Sequence, residues 1–266
     1  MNIYIPDNIK RLVAYKPFCD DNIGMSQSSV YLFDDMVLKI ENHTEQNDIT
    51  IDMMNWMADK LPVPKVICYE VQDGKSYTLM SRIKGRMTCD EQLMEQADTT
   101  VSLLADGLKM LWSADISDCP RKLTVKDDLK TAQYYLQNDM VDIDAVDFEL
   151  LNNNGFDSLP QLFDWLCSNI PQSEYVLSHG DYCMPNVLVE ENRISGFIDL
   201  GECAVSDKWK DISMCYISLK NNYSGYFGGK VYKDFNPDVL FEKLGIEIDA
   251  EKLKYYILLN ELFKTK

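Results

Sequence analysis

The stretch VLSHGDYCMPNVLVEENRISGFIDLG, Val176 to Gly201, holds two carboxylates and an amide in a pattern able to do chemistry. Asp181 lies just before an apolar run from Asn186 to Glu190, and a second run, Ile194 to Ile198, leads into Asp199. The polar Glu191-Asn192-Arg193 between them reads as the turn of a β-hairpin. An antiparallel hairpin brings its two ends together. Asp181, Asn186 and Asp199, spread over 18 residues, can therefore converge on one point. Oxygen donors of this kind suit Mg2+, which takes one or two carboxylates beside substrate phosphates. A carboxylate left off the metal can orient a hydroxyl and accept its proton during phosphoryl transfer. Asp181 is the candidate base, and Asn186 and Asp199 are the candidate metal ligands.

Taken singly, each of these residues is ordinary turn chemistry, because Asp, Asn and Gly bond their own backbone in turns. Taken together as H-G-D-x4-N-x12-D, five types at about 5% frequency each coincide by chance on the order of a few times in ten million starts. His179, two residues before Asp181, is of a type able either to move a proton or to support the loop. His43, the other of the two histidines, is expected at the surface.

The elements that position these residues are legible as periodicities. Short apolar runs at Phe18 to Asp21, Val30 to Phe33 and Met36 to Ile40 are separated by Gly24 to Ser29 and by an Asp34-Asp35 turn. From Thr44 the period becomes helical, with Ile49, Met53, Trp56 and Met57 on one stripe until Pro62 and Pro64 stop it. Val66 to Val71 and Ser76 to Ser81 follow as strands around an Asp73-Gly74 turn. The pattern is β-β-β-α-β-β. Beyond Gly85 it is mainly helical, with faces at Val101 to Trp112, Leu129 to Leu136, Leu159 to Cys167 and Ala250 to Phe263.

Composition limits what such a molecule does. The 266 residues are 46% hydrophobic and 26% charged, enough for a dense core in two lobes sharing an interface. A net charge of −17 repels nucleic acid and anionic membranes and favours a neutral or cationic small partner. The eight cysteines show no C-x-x-C pair, so free thiols are expected. No signal peptide is recognisable, and no segment approaches the roughly 20 apolar residues of a membrane span. A reducing cytoplasm fits.

The sequence resembles the aminoglycoside 3'-phosphotransferases through fixed-spacing blocks along nearly the whole chain. These are GMSQSSVY (24–31), KLPVPKV (60–66), ISDCP (116–120), LSHGD (177–181), SGFIDLG (195–201), DKWKDI (207–212) and KYYILLNELF (254–263). The resemblance implies an α+β, bilobal protein-kinase-like fold. Residues 1–85 would form a nucleotide-binding lobe with a five-stranded antiparallel sheet and one helix, and residues 86–266 a mainly helical catalytic and substrate-binding lobe. It implies Mg2+ and ATP, with GTP possible, as cofactors, a cationic aminoglycoside phosphorylated at its 3'-hydroxyl, and a monomer or weak dimer. It matches Asp181 to the catalytic aspartate, Asn186 and Asp199 to the magnesium ligands and Lys39 to the phosphate lysine. Ser26 would cover the β-phosphate, and the backbone at Ser81 and Ile83 would hold adenine. Glu261 and Phe263 match C-terminal substrate contacts. Glu202 follows IDLG on the substrate side, and Glu149 belongs to an acidic stretch (DMVDIDAVDFE) able to line the mouth.

The sequence departs from the family in three respects. Kinases pair the strand lysine with a helix glutamate, but the register set by Trp56 and KLPVPKV puts Thr50 there, with Glu45 or Asp48 as possible substitutes. Val37 replaces an aromatic against adenine, which exchanges stacking for apolar contact. Met184, Glu202 and Asn260 change the substrate side. These departures keep two rivals open: a kinase of the same fold acting on another alcohol, such as a macrolide, choline or a metabolite, and a nucleotide-binding pseudo-enzyme.

Overall fold

A computed structural model gives the fold over residues 4–21 and 28–265, with Asp20 and Asp21 described in backbone only. After a short helix, α1 (Asp7–Val13), strands β1 (Cys19–Asp21), β2 (Ser29–Leu32), β3 (Met36–Asn42), β4 (Val66–Gln72) and β5 (Lys75–Ser81) pair antiparallel in the order β1-β2-β3-β5-β4. Alternation along β3 decides which face is core. Met36, Leu38 and Ile40 are buried against Tyr31, Phe33, Tyr77 and Leu79, and Ile9 and Val13 of α1 close that face. Val37, Lys39 and Glu41 point to the other side and are half-buried. Helix α1 escapes the sequence periodicity because only Ile9 and Val13 are buried along it and Pro6 offers no side-chain cap. The β4–β5 hairpin turns at Asp73 (φ 52) and Gly74 (φ 73), the paired left-handed residues of a type I′ turn.

Helix α2 (Glu45–Met57) starts on a Thr44–Asn47 capping box, which satisfies two otherwise orphaned backbone donors. Its buried stripe is Ile51, Met53, Met54 and Met57, rotated from the expected one. Trp56 sits at the edge because its indole Nε1 donates to Asp118 Oδ1 at 2.9 Å, with the Lys60 ammonium 3.7 Å from the ring centre. The α2 methionines join the larger apolar cluster rather than the one above the sheet.

That cluster is built on α3 (Glu91–Met94), α4 (Ala97–Trp112), α5 (Val125–Gln137), α6 (Phe148–Asn153), α7 (Leu159–Ser168), α8 (Lys208–Tyr223), α9 (Val239–Leu244) and α10 (Ala250–Asn260). Val101, Leu104, Leu108 and Leu111 of α4 are fully buried at its centre. The spacing of three and four residues puts them on one face. Two small sheets cross the cluster's surface: β6 (Arg86–Met87) with β8 (Val187–Glu190) and β9 (Arg193–Phe197), and β7 (Tyr175–Ser178) with β10 (Ala204–Asp207). All eight cysteines are free thiols. Among the described residues no helix is long and apolar enough to cross a membrane.

Candidate active site

Strands β8 and β9 form the hairpin, but its turn is two residues, Glu191 (φ 50) and Asn192 (φ 58). Arg193 belongs to β9 and pairs with Glu190, because a type I′ turn closes the ladder directly. The hairpin's open end gathers the chemistry. Asn186 Nδ2 donates to Asp181 Oδ2 at 2.9 Å and to the Asp181 carbonyl at 3.0 Å, while the Ile198 N–H donates to the Asn186 carbonyl at 3.0 Å. Asp199, the next residue, is exposed and held in the left-handed region (φ 59). Both carboxylates reach the Cys183 thiol electrostatically. Burial first, then the Asp181 charge and more weakly that of Asp199, push that thiol up, so it stays protonated.

The donor chemistry fits a hard divalent cation. With Nδ2 of Asn186 spent on Asp181, its Oδ1 is the atom left to ligate. Among the described residues neither Asp181 nor Asp199 has an ion-pair partner, and no group of three His, Cys, Asp or Glu side chains is poised for a metal. An ion here would rest on Asn186, Asp199 and oxygens brought by its own ligand.

Supports for this loop come from distant elements. Asp211 of α8 is fully buried and accepts from His179 N (2.7 Å), Gly180 N (2.9 Å) and Ser178 Oγ (3.0 Å). His179 is also buried, and its Nε2 lies 3.0 Å from the Ile198 carbonyl. A carbonyl only accepts, so Nε2 carries the hydrogen and Nδ1 is left to accept the Asp181 N–H at 3.4 Å. The ring thus ties the Asp181 loop to the end of β9, a structural role. Tyr182 donates to the Leu104 carbonyl at 2.8 Å and anchors the same loop on α4. Gly180 has φ +83, and a Cβ there would strike the Glu202 backbone, so only glycine lets the two loops pass.

On the nucleotide side, Lys39 lies on the face of β3 opposite Leu38 and Ile40, with Nζ 3.0 Å from Glu41 Oε2. The Ser81 N–H donates to the Lys65 carbonyl and its hydroxyl accepts from the Lys65 N–H, at 2.9 Å each. Among the described residues no backbone acceptor is in reach of the Ile83 N–H. Ile83 packs on Gly196 of β9, where a Cβ would lie 2.6 Å from the Pro62 carbonyl and 2.8 Å from Ile83 Cγ2. This close approach brings the segment after β5 onto the hairpin. Ser26 lies outside the described residues.

The substrate-side candidates are not equivalent. Glu149 is exposed on α6. Glu202 has 56% of its side chain exposed, but the crowding around its carboxyl raises it, against the pull of the Arg121 guanidinium 3.9 Å away. Glu261 is buried, and its Oε2 accepts from the Asp147 N–H (2.8 Å) and the Lys264 ammonium (2.7 Å). Phe263 meets Tyr135 edge-on at 5.9 Å. Tyr135, absent from the sequence reading, is that ring's partner, and burial and then the Glu202 charge raise its phenol. Met184 has its side chain in the core, with its backbone held by Ser218 Oγ and Thr88 Oγ1. It cannot face a substrate.

Arg121 and Gln46 are further residues that sequence reasoning missed. Arg121 donates to the Gly201 carbonyl at 2.7 Å and the Cys203 carbonyl at 3.2 Å, and Gln46 Nε2 to the Gly201 carbonyl at 2.5 Å. The only sequence signal for Arg121 is its place directly after ISDCP.

Two apolar clusters, with a carboxylate–amide pair at the mouth of a hairpin, are the arrangement of a phosphotransferase family. Residues 21–236 match the model of the phosphotransferase enzyme family, and the chain belongs to that family. It is 36% identical over 269 residues to an aminoglycoside 3'-phosphotransferase of Enterococcus faecalis, covering 97% of this chain and 98% of the relative. It is 37% identical over 213 residues to one of Campylobacter jejuni, covering 80% and 79%. In fold it is similar to the aminoglycoside-3'-phosphotransferase of type VIII, with a TM-score of 0.77 and 22% identity over 97% of this chain and 98% of that one. It is similar also to the aminoglycoside phosphotransferase APH(3'')-Id of Streptomyces rimosus, with a TM-score of 0.77 and 17% identity over 96% and 95%.

Proposed function

We propose that this protein transfers the γ-phosphoryl group of ATP, or of GTP, to the 3'-hydroxyl of an aminoglycoside and so confers resistance to it. The observation that carries the reading is the Asp181–Asn186 contact at 2.9 Å, tied to the Asp199 loop through His179, in a chain similar end to end to 3'-phosphotransferases. Residues 1–85, with the five-stranded sheet, serve as the nucleotide lobe, and residues 86–266 as the catalytic and substrate lobe.

In this reading the Ser81 carbonyl and Ile83 N–H take the adenine edge, Ser26 covers the β-phosphate and the Lys39 ammonium neutralises phosphate charge. Asn186 and Asp199 would hold Mg2+, which would supply positive charge against the phosphates. Asp181 accepts the proton of the attacking hydroxyl. The new O–P bond forms as the bond from the γ-phosphorus to the bridging oxygen breaks, and the nucleoside diphosphate leaves. The loose transition state leaves mainly positioning and charge neutralisation to the protein. The amine-rich substrate is drawn by the −17 net charge and met by the exposed Glu149 and Glu202 together with Glu261 and Phe263. Glu261 already holds an ammonium, that of Lys264, so its contribution to a substrate amine requires that tail to yield.

Mass spectrometry after incubation with Mg2+, ATP or GTP and an aminoglycoside panel tests the assignment. A phosphate adduct on kanamycin-type substrates is expected, and Asp181→Ala should lose turnover while still binding ATP. No adduct on any member of the panel refutes it.

A further inference from the structure

A lysine that meets nucleotide phosphates needs a carboxylate to hold its long side chain in one place, and kinases supply it from the helix that follows the lysine strand. Here that helix, α2, has none to give. Thr50 stands at the expected register and turns its hydroxyl back on its own helix, donating to the Gln46 carbonyl at 2.8 Å. Asp48 is engaged by the Tyr69 hydroxyl at 2.6 Å and faces His43 at 3.7 Å. Glu45 and Asp52 are exposed.

Lys39 nevertheless has a carboxylate, Glu41 Oε2 at 3.0 Å, two residues along the same strand and so on the same face. Both side chains are about three-quarters covered, with relative exposures of 29% and 25%. We propose that Glu41 is the positioning residue for Lys39, replacing the helix glutamate, so that the lysine anchor is carried by β3 alone. Helix α2 is left with a different task. Gln46 Nε2 donates to the Gly201 carbonyl at 2.5 Å and Gln46 Oε1 accepts from Arg121 at 3.3 Å, which fastens the helix to the loop after Asp199. The two functions that one ion pair couples in kinases are here on separate residues. A shift of α2 would disturb Asp199 without releasing Lys39.

This inference rests on the nucleotide role of Lys39 proposed above. The test is a double-mutant cycle in the full chain, with Glu41→Gln, Lys39→Met and the pair, read by KM for ATP, KM for kanamycin, kcat and ATP affinity by calorimetry. Glu41→Gln is expected to lower kcat/KM for ATP about tenfold, equal to about 1.4 kcal/mol. The KM for kanamycin should stay within about twofold and the melting temperature nearly unchanged, because a partly exposed ion pair adds little to stability. Adding Glu41→Gln to Lys39→Met should cost nothing more. An unchanged kcat/KM and ATP affinity in Glu41→Gln, or an equal further loss in the Lys39→Met background, overturns the proposal. If the parent protein phosphorylates nothing, the function assignment fails by itself, and the calorimetric arm of the cycle still decides the role of Glu41.

Discussion

Replacing Asp211 with alanine removes the one carboxylate that holds the HGD turn from behind. Three donors lose their acceptor: His179 N at 2.7 Å, Gly180 N at 2.9 Å and Ser178 Oγ at 3.0 Å. Hydrogen bonds to a charged group contribute about 1.5–3 kcal/mol each, so the gross loss is roughly 4–9 kcal/mol. Two effects reduce it. Burial pushes the Asp211 carboxyl up, against the His179 ring and the three donors, so the wild-type protein already bears a desolvation cost of several kcal/mol that the variant escapes. The Gly180 N–H also keeps a second acceptor, Ser178 Oγ at 3.1 Å. What remains is an orphaned His179 N–H in a fully buried place, and the net expectation is about 3 kcal/mol. For a chain of this size that lowers the melting temperature by roughly 6–12 °C. Because His179 sets the spacing between Asp181 and Ile198, a shift of about 1 Å there should also lower kcat about a hundredfold. Thermal unfolding and single-turnover phosphoryl transfer read the two effects separately. A variant that melts within about 2 °C of the parent and turns over at the parent rate would show that Asp211 does not hold the loop.

Gly180→Ala should be as damaging by another route: a left-handed residue gains a Cβ aimed at the Glu202 backbone, costing about 2–4 kcal/mol, and turnover should fall with the melting temperature. A milder test concerns the α5 cap. The Thr124 hydroxyl, and next the Lys130 ammonium, hold the Asp127 carboxyl down at about 2 against an ordinary 3.8. The cap's stabilisation is therefore complete above pH 3.8 and disappears as the pH falls from there toward about 2. Asp127 is partly exposed, so Asp127→Asn should cost only about 1 kcal/mol at neutral pH in denaturant titrations, a gap that closes below pH 3.8. A gap that widens in acid contradicts the assignment.

How much of this was legible in the sequence divides along one physical line. The β8–β9 hairpin and its open end could be read because the signals are local: two apolar runs, a polar turn, and three oxygen-bearing side chains whose types the chemistry demands. The same locality revealed the β4–β5 hairpin at Asp73-Gly74 and the α4 stripe through Leu104 and Leu108. Residues that hold the chemistry in place carry no such signature. Asp211 reaches back 32 residues to His179, and Arg121 reaches 80 forward to Gly201. Any donor or acceptor with the right reach could serve at either position, so only the packing of α8 and the approach of α2 to the Asp199 loop select them. Glu261 illustrates the converse case. A type that suits a cationic ligand was visible, but its burial under the Asp147 N–H and the Lys264 ammonium is decided by how the chain end folds against the start of α6. The Lys39–Glu41 pair lies between the two cases. Its spacing of two is local and was open to view, yet on a strand it is indistinguishable from a solvated ion pair until the helix opposite is seen to offer no carboxylate. Lysine position in this fold is thus a question about what α2 lacks as much as about what β3 supplies.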